Sequence, residues 1–280
     1  MIFSQSNPDA AVLVIIGLFG AIMGSFFNML IYRVPRGLSI LGPSSFCPNC
    51  TKSLPLWANV PILSYLLLRG KCAHCKHPIP LRYLLVEVIT VVTYVLLYYR
   101  NIEYGIIQWF IEAIFVSLLI VVTFTDLETY LIPDIFSIGG LITGLVVSPW
   151  NRVVTVMDVF LGVLIGGGVL FLIAYGYQKV RGVEGMGGGD VKLLAMIGAF
   201  TGWKGAVMAL FISAFTGAIA GLVIIGVKQS KKGAKKITSD NIQGQTALST
   251  MIPYGPFLAF GGLIALIWSS AFWNWYISAF

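Results

Sequence analysis

The stretch VKLLAMIGAFTG (Val191 to Gly202) decides how this chain is threaded. It carries a single charge, Lys192, and otherwise reads as a buried helix. As a helix it rises only about 18 Å, against a bilayer hydrocarbon core about 30 Å thick. Either it recruits the glycines before it and crosses, or it stops short and every later loop changes sides.

The rest of the chain tests the choice. Of 280 residues, 58% are hydrophobic and only 10% are charged, and the mean hydropathy is +0.89. A soluble domain carries roughly 25% charged residues, so most of this chain belongs in a bilayer. Apolar runs of roughly 18 or more residues mark transmembrane helices. Eight runs are read, at about 10–31, 82–99, 105–125, 133–149, 157–177, 190–203, 205–227 and 253–276, the fourth and sixth being short. The first run has no small-residue cleavage site after a short apolar core, so it reads as a span and not as a cleavable signal.

Membrane proteins concentrate Lys and Arg in cytoplasmic loops. With eight spans, only Arg100, Arg152 and Lys204 of the 18 basic residues fall on one side. If 190–203 failed to cross, the lysine run at 228–236 would join them and spoil the asymmetry. The segment is therefore read as crossing, with both termini facing away from the cytoplasm. Trp109, Trp150, Trp203, Trp273 and Trp275 fall near the outer ends of the spans, where interfacial aromatic rings collect. The expected fold is an all-α polytopic membrane protein of about eight transmembrane helices, with a small zinc-stabilised cytoplasmic domain between helices 1 and 2. The expected units are residues 1–32, 33–81 and 82–280. The net charge of +7 reads as loop charge that orients the chain and touches anionic lipid; no nucleic-acid partner is expected. No internal repeat of fixed period is read.

The polar loop 33–81 holds all four cysteines, as CPNC (47–50) and CAHC (72–75). Two C-x-x-C knuckles supply four thiolates for a closed, tetrahedral structural Zn²⁺. The interval between them is just beyond the usual roughly 15–20 residues. On the reducing side of a membrane disulfides are disfavoured, so Cys47, Cys50, Cys72 and Cys75 are read as zinc ligands. His74 and His77 are read as ordinary polar residues. A loop this small gains folding energy from a metal.

Among the eleven acids, most are explained by solvation at loops and span ends. Glu87 and Glu112 lie inside spans, where acids are costly and serve function or pair with a buried base; for Glu87 a structural pairing with nearby Arg82 or Tyr83 stands equally beside a functional role. Asp126 in FTDLETYLIPD and Asp190 in GGGDVK fall at the cytoplasmic ends of the third and sixth spans. Two carboxylates from different helices thus share one depth on one side, the arrangement that an acid/base dyad requires. Neighbouring carboxylates do not both ionise cheaply, so one keeps its proton. The ionised one draws a proton from water that attacks a peptide carbonyl, while the other donates to the developing oxyanion. Gly187, Gly188 and Gly189 leave the backbone open to an extended substrate. Capping explains Asp190 equally simply. Lys192, within a turn of it, either steadies the dyad, binds a substrate acid or reaches for the interface.

These motifs resemble a known family. GGGD fits the GxGD signature of membrane aspartyl proteases through Gly187, Gly189 and Asp190. GSFFNMLIYRVPRG (24–37), the two knuckles, LRGKC (68–72), LRYLLVE (81–87), TDLETYLIPD (125–134), GMGGGDVKLLAMIGAF (185–200) and IPYGPFLAFGG (252–262) follow one another as in bacterial prepilin peptidases of the bifunctional type. The resemblance implies two activities in the bacterial inner membrane, with the cysteine loop and the active site on the cytoplasmic side. One removes a basic leader from prepilins or pseudopilins after a glycine, with Asp126 and Asp190 as catalytic residues. The other N-methylates the new terminus with S-adenosylmethionine. Asn28 and Glu87 are its weak candidates for cofactor binding, because no glycine-rich dinucleotide fingerprint is present. Gly188 stands where relatives often carry an aromatic residue. The competing readings are a proton-coupled transporter relaying protons through Asp126 and Asp190, and a zinc-anchored assembly factor without chemistry.

Overall fold

The computed structural model describes residues 9–42, 45–182, 187–232 and 253–279. The glycine-rich approach at 183–186, with Glu184 and Gly185, and the basic loop at 233–252 lie outside the described residues. The described chain is helical: α1 (Ala10–Arg33), α2 (Leu63–Leu67), α3 (Arg82–Arg100), α4 (Ile106–Thr129), α5 (Asp134–Val147), α6 (Val156–Arg181), α7 (Gly188–Lys232) and α8 (Gly255–Ala279). Six of these are long and apolar enough to cross a membrane: α1, α3, α4, α6, α7 and α8. The protein is a multi-pass membrane protein.

The deciding stretch does cross, and the reason lies at its end. Gly202 interrupts α7 with φ 70° and ψ −178°, a conformation open in practice only to glycine. A Cβ there would also lie 2.7 Å from Cγ1 of Val154. The chain reverses at this point. Ile197 meets Gly262 of α8 on one side of the break, and Ala209 meets Gly261 on the other, so α7 passes one level of α8 twice in opposite directions. The turn is fastened by the Trp273 indole, which donates to the Lys204 carbonyl at 3.3 Å. The first limb, 188–201, takes in Gly188 and Gly189 and reaches about 21 Å. It is short but central: Leu193 to Phe200 are all buried, so protein and not lipid surrounds most of its length. α5, also short, lies parallel to it, with Gly140 against Met196 and Gly144 against Ala199. Counting the two limbs of α7 and the short α5, eight apolar segments cross the bundle.

α4 is the axis. In its most apolar window 67% of residues are buried, against 22% for α1 and for α6, and it touches α1, α3, α5, α7 and α8. A helix apolar all round belongs in the interior. α1 and α3 pack closely because Gly20 and Gly24 leave room for the α3 backbone; a Cβ on Gly24 would stand 2.7 Å from Glu87 Cα. One expected interfacial ring is not interfacial. Trp109 is buried and donates to the Tyr94 carbonyl at 3.0 Å, so it packs the bundle.

Candidate functional site

Asp126 lies in the last turn of α4 and is buried. Its Oδ2 accepts the backbone N–H of Gly255 at 2.9 Å. Only glycine permits this, since a Cβ on Gly255 would lie 2.7 Å from that oxygen. Asp190, in the first turn of α7, is half-buried, and its N–H donates to the Gly187 carbonyl at 3.1 Å. The two carboxyls are close enough for their charges to repel. Tyr254, next to Gly255, lies within electrostatic reach of Asp190, and its hydroxyl is bonded to Ser213 at 2.9 Å. α4, α7 and the start of α8 therefore meet at one corner that holds both acids. IPYGPF was legible as a motif, but its contact with Asp126 was not, because 129 residues separate the partners.

The glycines divide. A Cβ on Gly188 would meet nothing within 4 Å among the described residues; on Gly189 it would press on Ile132 at 3.0 Å. A Cβ on Gly187 would stand 3.6 Å from Asp190 Oδ2. Lys192 is engaged elsewhere: its ammonium lies 2.6 Å from Asp134 Oδ1 and ties the start of α7 to the start of α5.

The cysteines gather as two copies of one turn. The Cys47 N–H donates to Lys52 and the Thr51 N–H to Cys47; the Cys72 N–H donates to His77 and the Lys76 N–H to Cys72. The bridges Phe46–Ser53 and Lys71–Pro78 repeat the pattern. Each contact recurs 25 residues on, as 47 to 72 and 53 to 78 show. This is an internal repeat that the sequence hides, because little besides the cysteines is shared. Thr51 and Lys76 close the copies with φ of 56° and 59°. All four Sγ atoms lie within 4.8 Å of one another, so the group can hold a metal ion. The Cys47–Cys75 separation is 3.8 Å, close to the edge of a tetrahedron whose metal–sulfur bonds are about 2.3 Å. His74 is not in the cluster; its Nε2 lies 3.2 Å from the Ser53 carbonyl and links the copies. Burial pushes the Cys47 thiol up to about 11, whereas the backbone N–H of His77 leads the contacts that bring Cys75 down to about 6.

Between the knuckles and α1 and α3 opens a cavity of about 630 Å³. Asn28, Glu87, Tyr65, Arg82, Tyr83 and Glu128 are among its lining residues. Asn28 is 2% exposed and donates to the Tyr83 carbonyl at 2.9 Å, but its Oδ1 has no partner among the described residues. Glu87 is not paired with Arg82 or Tyr83. Its Oε2 accepts the Ile62 N–H at 2.7 Å, and Ser25 bonds the same carboxyl. Arg82 instead lies 2.8 Å from Glu128 and covers the Tyr83 ring. Glu128 is two residues beyond Asp126, so the cavity and the acid pair share the end of α4 as a wall.

The arrangement defines a helical multi-pass membrane protein with an aspartate pair at one end and a four-cysteine cluster beside it. Residues 18–101 match the bacterial peptidase A24 N-terminal domain, and residues 113–222 match the type IV leader peptidase family. A prepilin leader peptidase/N-methyltransferase of Legionella pneumophila is 32% identical over 94% of this chain and 93% of its own length. Those of Pseudomonas aeruginosa (31%, over 98% and 96%) and Aeromonas hydrophila (30%, over 94% and 93%) are similar. No solved structure matches. The chain belongs to the prepilin leader peptidase/N-methyltransferase family.

Proposed function

We propose that this protein removes the leader of prepilins or pseudopilins after a glycine and then N-methylates the new terminus. The observation that carries the reading is the convergence of Asp126 and Asp190, from separate helices, on the Tyr254–Gly255 corner. In the reaction, water attacks the scissile carbonyl and gives a proton to the ionised carboxylate of the pair. The protonated partner donates to the carbonyl oxygen as it gains charge. Collapse breaks the C–N bond, and the departing amine takes up a proton. The Gly255 N–H holds one oxygen of Asp126 still throughout, and the small residues at 187–189 keep the approach open.

The large cavity suits a methyl donor. Its volume falls in the range of small-molecule sites, roughly 300–1,000 Å³. Asn28 offers a buried acceptor without a partner among the described residues, and aromatic rings line the walls; Glu87 and Glu128 stand there among Arg33, Arg36 and Arg82. S-adenosylmethionine, when bound, supplies the methyl group. The chain's part is to hold the amine against it and to take the amine's proton, for which the Glu128 carboxylate is nearest to the peptidase corner. Zinc on Cys47, Cys50, Cys72 and Cys75 braces the wall made by the knuckles. The units 33–81 and 82–280 are proposed as the methyl-transfer cap and the peptidase bundle, reached from the first helix at 1–32.

The excess of basic residues at the aspartate end supports a cytoplasmic active site in the bacterial inner membrane. Arg100, Arg152 and Lys204 sit at the opposite end. A transporter needs acids at successive depths, but the acid at the far end of α4, Glu112, is bound to Arg100 at 2.6 Å. The test is a reconstituted assay with a prepilin-like peptide. Asp126→Asn and Asp190→Asn should each abolish cleavage, and retained cleavage in both rejects the reading. Labelled S-adenosylmethionine with an already cleaved peptide tests methylation separately.

A further inference from the structure

The loop that holds the cysteines is not polar throughout. Between Lys52 and Arg69, residues 53–68 (SLPLWANVPILSYLLL) carry no charged side chain. The structure folds this stretch into a 3₁₀ turn, Leu56–Asn59, and the short helix α2, and it has two faces. Leu54, Ala58, Asn59, Ser64, Tyr65 and Leu68 line the large cavity. The other face points away from the protein: Leu56 is 90% exposed, Leu67 79%, and Trp57, Leu63 and Leu66 are each more than half exposed. A contiguous apolar patch of this kind marks a contact with a partner or a membrane.

Its depth identifies the partner. The Ile62 N–H is bonded to Glu87, and Ile62 adopts φ 64°, a conformation that a β-branched side chain avoids unless the surroundings impose it. Glu87 is the sixth residue of α3, about 7.5 Å along the helix from its start. α3 has only 19 residues, a length of about 28 Å, so a bilayer core about 30 Å thick takes in all of it. The stretch is thus fastened to α3 at a level already inside the hydrocarbon. On either side of Glu87 in the sequence of α3, Leu85, Val88 and Ile89 are exposed as well. Tyr65 anchors the far side by donating to the Ile79 carbonyl at 3.1 Å.

We infer that residues 53–68 are seated in the lipid of the bilayer, as a non-spanning segment inserted beside α1 and α3. Trp57 lies on the lipid side, where indole rings collect at the interface; the Ile62 N–H is met by Glu87, and the N–H groups of Leu54, Ala58, Leu63, Ser64, Leu66 and Leu68 donate to carbonyls of the same loop. Zinc knuckles at both ends keep the charged parts of the loop above it. On the functional reading above, the cofactor cavity then has its rim at lipid level. A product whose apolar helix stays in the membrane presents its new amine there without being extracted.

The test uses the full chain in phosphatidylethanolamine/phosphatidylglycerol vesicles, without substrate. The photoreactive residue p-benzoylphenylalanine replaces Leu56, Leu66 or Leu67, with Ile22 of α1 as the lipid-facing reference and Lys52 as the solvent reference. All three test positions are exposed, so the probe displaces no packing, and each variant's unfolding temperature confirms that it folded. After irradiation, mass spectrometry should find lipid adducts at all three in yields comparable with Ile22, and none at Lys52. Loss of lipid adducts at all three while Ile22 keeps them overturns the inference. So do equal adducts at Lys52, or adducts only to a second copy of the chain. Neither proteolysis nor methylation is read, so the outcome is separate from the fate of the proposed function.

Discussion

α4 carries a buried acid near each end, and the two are treated in opposite ways. Glu112, 2% exposed, lies 2.6 Å from Arg100 and accepts from Asn101 at 2.7 Å and from Gln108 at 3.1 Å. Gln108 in turn accepts the Arg152 N–H, and Arg100 donates to the Leu266 carbonyl, so the network joins the α3–α4 turn to α8. Asp126, 5% exposed, has one backbone N–H and, as its neighbour, a second acid. One end is satisfied and holds helices together. The other has fewer partners among the described residues, a pattern that the proposed proton transfer would use. Burial alone does not separate a structural acid from a reactive one; the partners do.

Breaking each end should give opposite phenotypes. Asp126→Asn or Asp190→Asn keeps the size and removes the proton exchange, so cleavage should fall by about 10²–10⁴-fold or more while the unfolding temperature in detergent barely moves. Arg100→Met leaves Glu112 buried without its cation and should destabilise the protein by about 3–5 kcal/mol. Cleavage per folded molecule should persist, and Arg100→Met with Glu112→Met together should recover much of the stability. If Arg100→Met instead abolished cleavage without affecting unfolding, the division of labour along α4 would be wrong.

Gly255→Ala sharpens the contrast within the active end. A methyl group 2.7 Å from Asp126 Oδ2 must displace the carboxylate, and a displacement of about 1 Å costs about 10²-fold in rate. The loss should appear in turnover more than in stability, and Asp126→Asn with Gly255→Ala together should be no worse than Asp126→Asn alone. The smallest effect belongs to the cysteine cluster. Metal capture needs thiolates, so binding releases protons and strengthens as pH rises. At about pH 8 the Cys47 thiol, near 11, still holds its proton, whereas Cys75, near 6, has already lost its own. Zinc addition in weak buffer should therefore release protons, and Cys47→Ser should release fewer. Below about 6 affinity should weaken further as Cys75 also takes up a proton.

The sequence alone determined what composition, period and spacing encode. Eight apolar runs, the asymmetry of the basic residues, two C-x-x-C knuckles and a pair of aspartates at span ends are local properties, legible because each follows from solvation or from the geometry of a single helix. The reversal near Gly202 was legible from the two apolar runs and the loop charges, but the left-handed backbone at Gly202 that makes it was not. Only the tertiary structure decided which groups meet: Gly255 with Asp126 across 129 residues, Arg82 with Glu128 in place of Glu87, Glu87 with the strained Ile62, and the burial of Trp109. It also supplied the partners of the two acids on α4, Arg100 for Glu112 and the Gly255 N–H for Asp126, which the sequence left open. The physical reason is that a helix sets a residue's depth and phase from its own sequence, while a side chain's partners come from whichever other helix the packing brings alongside.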